Sequence, residues 1–94
     1  MTKKIWKYPL DMITDEFTLE MPEGAILLSF KVQRGVPTLW ALVNPDNKFE
    51  KRFFRLVGTG HSIEDDNLKY IDSVHLNQGN LIFHLFESIK INKV

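Results

Sequence analysis

The chain has 94 residues, 12 Lys+Arg against 12 Asp+Glu, 44% hydrophobic and 12% aromatic content, and no cysteine. The length fits one domain over 1–94, and a chain of this size buries roughly 65% of its unfolded surface, a modest core that self-association would reinforce, so a homo-oligomer is expected. Zero cysteine excludes a disulfide scaffold and thiolate chemistry, and the charge balance argues against a nucleic-acid polymer as partner.

The basic start, Met1 to Tyr8, has no apolar run behind it, because Lys7, Asp11, Asp15 and Glu16 interrupt any such stretch. It does not read as a signal peptide. The longest uncharged apolar run, Ala25 to Phe30, is far shorter than the roughly 20 residues that span a bilayer. A soluble cytoplasmic protein with no membrane partner is expected.

A period of two runs through the rest of the chain. Phe17, Leu19 and Met21 alternate with Thr18 and Glu20, a half-buried strand ended by the Pro22-Glu23-Gly24 turn. Ile26, Leu28, Phe30 and Val32 form a second strand, and Arg34-Gly35 is a hairpin signal in which Gly35 takes positive φ. Val36 to Val43 is apolar on both faces, as a central strand covered on both sides would be, and Trp40 is expected in the core. After the Asn44-Pro45-Asp46-Asn47 turn, Lys48 to Val57 is a long strand rich in Phe and Arg. Gly58-Thr59-Gly60 ends it, and Ser62 to Asp66 reads as a short capped turn. Leu68 to Leu76 and Leu81 to Phe86 are strands separated by Asn77-Gln78-Gly79-Asn80; Ser88 to Val94 extends the last strand or frays.

No segment has a helical period. Roughly six or seven short strands joined by turns predict an all-β fold, a small antiparallel β-sandwich or partly open barrel built mainly from hairpins, with sequence neighbours pairing.

Candidate chemistry is sparse. The first constellation is Arg52, Arg55, Gly58, Thr59, Gly60 and His61. A glycine-bracketed loop can aim successive N–H groups into one anion-binding concavity. Thr59 adds a hydroxyl, His61 a titratable donor, and an arginine a bidentate fork. The arginines are three apart on a strand and face opposite ways, so at most one joins the site. The plain alternative is a glycine-rich β-connection. The loop is neither a Walker loop nor a dinucleotide fingerprint, lacking the lysine, the spacing and the βαβ unit.

Aromatic residues form a second set. Trp6 and Tyr8 share a face between lysines and are read as partly exposed, at a pocket rim or subunit contact, able to stack on a planar ligand; the Phe residues read as core. His61, His75 and His84 fall on separate elements, so no metal site is expected, and His84 reads as a hydrogen-bonded inward or sheet-face histidine. Glu64-Asp65-Asp66 reads as a solvated turn, its alternative being a carboxylate hold on a cation or sugar hydroxyl. No catalytic arrangement has a sequence signature, so neither an enzyme nor a cofactor is expected.

Taken in order, Lys4-Ile5-Trp6-Lys7-Tyr8, Met21-Pro22-Glu23-Gly24-Ala25, Gly35-Val36-Pro37, Leu39-Trp40-Ala41-Leu42-Val43, Val57-Gly58-Thr59-Gly60-His61 and Phe83-His84-Leu85-Phe86-Glu87 resemble a family of short uncharacterised proteins of bacteriophages and prophages. The resemblance runs from about residue 3 to residue 87 and brings no catalytic residues with it. It implies a phage origin, a host-cell cytoplasmic location and a small accessory role, such as sequestering a nucleotide signal of host immunity. The leading expectation is a non-enzymatic binding protein for a phosphorylated or nucleotide-like small molecule. In it, the Gly58–His61 loop and one arginine hold the anionic part and Trp6 or Tyr8 stacks on the planar part. The alternative is a protein–protein interaction module inhibiting a host factor or serving a structural phage role. A nucleotide-cleaving enzyme, with His61 and His84 as its acid–base candidates, stands third.

Overall fold

The computed structural model describes residues 2–10 and 14–89, and the expectation for the chain end beyond residue 89 lies outside the described residues. Seven strands run through the described residues in the order β1 (Lys4–Pro9), β2 (Glu16–Pro22), β3 (Ile26–Gln33), β4 (Val36–Val43), β5 (Phe49–Gly58), β6 (Leu68–Leu76) and β7 (Leu81–Ser88). A short 3₁₀ turn, Asn77–Gly79, joins the last two. The strands form two antiparallel sheets packed together and not closed into a barrel: β1-β4-β3 and β2-β5-β7-β6. The all-β expectation holds in its sandwich form. No helix among the described residues is long and apolar enough to cross a membrane.

The expected pairing of sequence neighbours is corrected. Among the described residues only β3–β4 and β6–β7 are hairpins; the other pairings join strands distant in sequence. The two hairpin turns have left-handed residues at their tips, Arg34 and Gly35 in one and Asn77, Gln78 and Gly79 in the other. The remaining turns carry the chain elsewhere: β1 and β2 lie in different sheets, as do β2 and β3, and β4 and β5. Strand β1, which the period-two reading does not single out, pairs along its length with β4. This makes β4 central in its sheet, as its apolar composition requires.

Alternate residues meet between the sheets. Phe30, Leu39, Ala41 and Val43 come from the three-stranded sheet, and Met21, Phe54, Leu56, Val74 and Leu85 from the other. Phe17 stacks on Phe54 at 5.4 Å. The inward residues of β1 are Trp6 and Tyr8, which pack against this core. Both stay half-buried, in keeping with the partial exposure expected of them, and register with β4 places Trp6 beside Ala41 and Tyr8 beside Leu39. The expected core placement of Trp40 is corrected. It points to the outside of the three-stranded sheet, half-buried, in a cleft with Ile5, Leu28 and Lys31.

Candidate functional site

The two arginines of β5 face opposite ways, as a spacing of three on a strand demands. Arg52 shares the inward side with Phe54 and Leu56, where its Nε and Nη2 donate to the two carboxylate oxygens of Glu87 at 2.7 and 2.9 Å. Its Nη1 donates to the Ala25 carbonyl, tying the edge of one sheet to the other. The bonded carboxylate holds the guanidinium pKa above its ordinary value. Arg52 is thus a structural cation. Nearby, the buried Tyr8 hydroxyl has no hydrogen-bond partner among the described residues, and desolvation raises its pKa, partly offset by Arg52.

The glycine loop is a turn closed on itself. His61 N–H donates to the Gly58 carbonyl at 3.1 Å, and Thr59 N–H donates to the Ile82 carbonyl at 3.4 Å. Gly60 has φ of 89° at the third position of this turn, the type II geometry that glycine serves best. Two of the amide donors needed for an anion nest are therefore already committed. Gly58 serves a close approach: a Cβ there would sit 3.0 Å from the His61 ring. Gly58 and His61 line a cleft with Leu56 and Phe83, apart from both arginines. The structure does not gather Arg52, Arg55, Trp6, Tyr8 and the Gly58–His61 loop into one cavity.

What it does gather lies on the outer face of the four-stranded sheet. Register places Glu16, Arg55, Phe86 and Tyr70 side by side in one row across β2, β5, β7 and β6. Val57, His84 and Ser73 form the next row, two residues or about 6.8 Å along the strands. Thr18 and Phe53 lie on the other side of Arg55. Phe53 and Tyr70 are 49% and 54% exposed, and the Tyr70 ring meets Phe86 edge-on at 5.6 Å. These rings sit where a planar ligand reaches them.

Arg55 borders an open cleft of about 480 Å³ with Phe53, Thr18, Ser88, Glu16 and Asp65. A neighbouring polar cleft adds Ser62 and Glu64. The Arg55 guanidinium makes one long contact, 3.8 Å to Glu16, and its buried Nε has no partner among the described residues. The turn expected from Ser62 is ordered instead by Asp65, whose carboxylate accepts the Asn67 N–H at 2.8 Å.

One polar chain on this face has no counterpart in the sequence reading beyond His84. Thr59 Oγ1 lies 2.8 Å from His84 Nε2, Ser73 Oγ 2.6 Å from His84 Nδ1, and the Tyr70 hydroxyl 2.7 Å from Ser73 Oγ. His84 is the hydrogen-bonded histidine its flanking pattern predicts, in the sheet-face placement.

The architecture defines an all-β, two-sheet protein whose larger sheet carries an aromatic and polar outer face. The chain belongs to the family described as a domain of unknown function (DUF7352), which matches residues 1–93. No curated protein and no solved structure matches it.

Proposed function

We propose that this protein binds and sequesters, without converting it, a small nucleotide-like molecule bearing one anionic group, on the outer face of its four-stranded sheet. The observation that carries this reading is Arg55: a half-buried guanidinium with an unpartnered Nε, beside the exposed ring of Phe53. A partly desolvated donor without a short acceptor gains by taking one, and a phosphate oxygen outcompetes a carboxylate 3.8 Å away. Glu16 and Asp65 at the same cleft suit ligand hydroxyls and disfavour a polyphosphate by like-charge repulsion. Arg55 is the one cation lining this cleft among the described residues, which favours one phosphate, as in a mononucleotide or a cyclic nucleotide. The resemblance to short bacteriophage and prophage proteins supports a phage-encoded accessory role in the host cytoplasm, with a host immune signal as the captured molecule.

Thermal unfolding with a panel of cyclic and linear nucleotides tests the reading. A member present at 100 times its Kd stabilises by about 2.7 kcal/mol, which raises Tm by roughly 11–22 °C for a domain of this size. Arg55→Ala removes the shift. A flat response across the panel refutes the proposal.

A second reading, a protein–protein interaction module acting on a host factor or in a phage structure, is favoured by the outer face of the three-stranded sheet. There Ile5, Ile26 and Leu28 are 60%, 54% and 49% exposed around Trp40. The same face suits a second copy of the chain, which the size argument expects.

A further inference from the structure

The Thr59–His84–Ser73–Tyr70 chain goes beyond ligand capture. A nucleophile and a base within 2.6–3.2 Å, with the base oriented by a third group, is the arrangement that activates a serine. Ser73 Oγ and His84 Nδ1 meet it at 2.6 Å, and His84 Nε2 is held by Thr59 Oγ1 at 2.8 Å. For Ser73 to donate to Nδ1, the imidazole carries its proton on Nε2 and donates it to the Thr59 hydroxyl oxygen. The Thr59 hydroxyl, which can accept or donate, accepts in the tautomer that leaves Nδ1 a base.

The backbone is also shaped for this contact. Tyr70 and Ser73 are three apart, so on a regular strand they would face opposite ways. The register shift between Tyr70 and Asp72 sets Ile71 and Asp72 against the single residue Leu85. This bulge keeps Ile71 against the core while turning both Tyr70 and Ser73 outward. Asp72 accepts the Ser73 N–H at 2.8 Å, which holds the bulge. The glycine turn of β5 then delivers Thr59 to the far nitrogen of the imidazole. Thr59 and Ser73 thus meet the two nitrogens of His84, with Tyr70 behind Ser73, through two local irregularities that pairing alone does not require.

We propose that Ser73 is an activated nucleophile, with His84 as its base, Thr59 as a positioning residue and Tyr70 as an oxyanion donor, and that it accepts acyl groups from small, activated esters. Ser73 Oγ attacks the ester carbonyl carbon while its proton passes to His84 Nδ1. The carbonyl oxygen becomes an oxyanion that accepts the Tyr70 O–H bond. Collapse of this intermediate breaks the bond to the leaving oxygen, which takes the proton from Nδ1 and departs as an alcohol. Water, deprotonated by the same nitrogen, then releases the carboxylic acid and restores Ser73. The partial exposure of Ser73 and the open face around Tyr70 suit small acyl groups.

The test is covalent. The folded protein is treated with an alkyl fluorophosphonate and, separately, with p-nitrophenyl acetate, followed by intact-mass measurement and peptide mapping. The expected result is a single adduct on Ser73, absent in Ser73→Ala and formed at least tenfold more slowly in His84→Gln. Thr59→Val slows the labelling, and Thr59→Ser restores it. Wild-type protein that stays unmodified at Ser73 overturns the proposal, as does Ser73 labelling that His84→Gln leaves unchanged. Neither outcome depends on the nucleotide panel, so the two readings stand or fall separately.

Discussion

Replacing Glu87 by Gln tests the ion pair that joins β5 and β7 on the inner side of the four-stranded sheet. The substitution keeps the side-chain volume and removes the charge that Arg52 grips through two short bonds. The guanidinium is left with the Ala25 carbonyl as its remaining strong acceptor. Breaking a buried ion pair by removing one partner costs 3–5 kcal/mol. The side chains of Arg52 and Glu87 are 17% and 16% exposed, so solvent screens part of the loss and about 3 kcal/mol is expected. For a domain of this length that is a fall in Tm of roughly 12–24 °C. Urea unfolding should show a lower midpoint with an unchanged slope. In a double-mutant cycle, Arg52→Met with Glu87→Met should lie closer to the wild type than either single change, with a coupling above about 1.5 kcal/mol. Single-variant losses below about 1 kcal/mol, adding without coupling, would show a pair screened like a surface contact and refute the reasoning.

Two further outcomes follow from groups the structure leaves unpartnered. Tyr8→Phe removes a buried hydroxyl without a hydrogen bond, so stability at neutral pH should stay level or rise by up to about 1 kcal/mol. Burial raises the Tyr8 pKa above its ordinary value of 10.0, so the unfolded chain ionises first. The stabilisation is whole below pH 10 and lost as pH climbs through the folded value, and this alkaline loss should be weaker in Tyr8→Phe when unfolding is followed from pH 8 upward. Ile26→Lys combined with Leu28→Asp breaks the exposed apolar face of the three-stranded sheet; light scattering should show a dimer or larger particle for the wild type and a monomer for the variant. A wild-type monomer at high concentration would remove the second-copy reading.

Strand content was legible because its signal is local. Period-two alternation and turn residues act within a few positions, so six strands and the places of both hairpin turns follow from composition and spacing. The opposed arginines follow from the same parity. Which of them was committed did not follow, because that depends on Glu87 arriving from β7, far along the chain. The outward rings, Phe53 and Tyr70, read as core and as part of a diffuse aromatic set; nothing in their neighbours says which face of the sheet is covered.

The sequence by itself determined an all-β chain, its turns and the alternation of its faces, since these rest on backbone sterics and near-neighbour patterning. Only the tertiary structure decided how strands divide between sheets, because non-local pairing is fixed by the collective burial of both inner faces. That partition sends Trp6 and Tyr8 inward and Trp40 outward, closes the glycine turn on its own carbonyl, and leaves Arg55 open. The bulge between Tyr70 and Asp72 belongs to the same category. An added residue is visible only against its partner strand, and it is this residue that turns Ser73 toward His84.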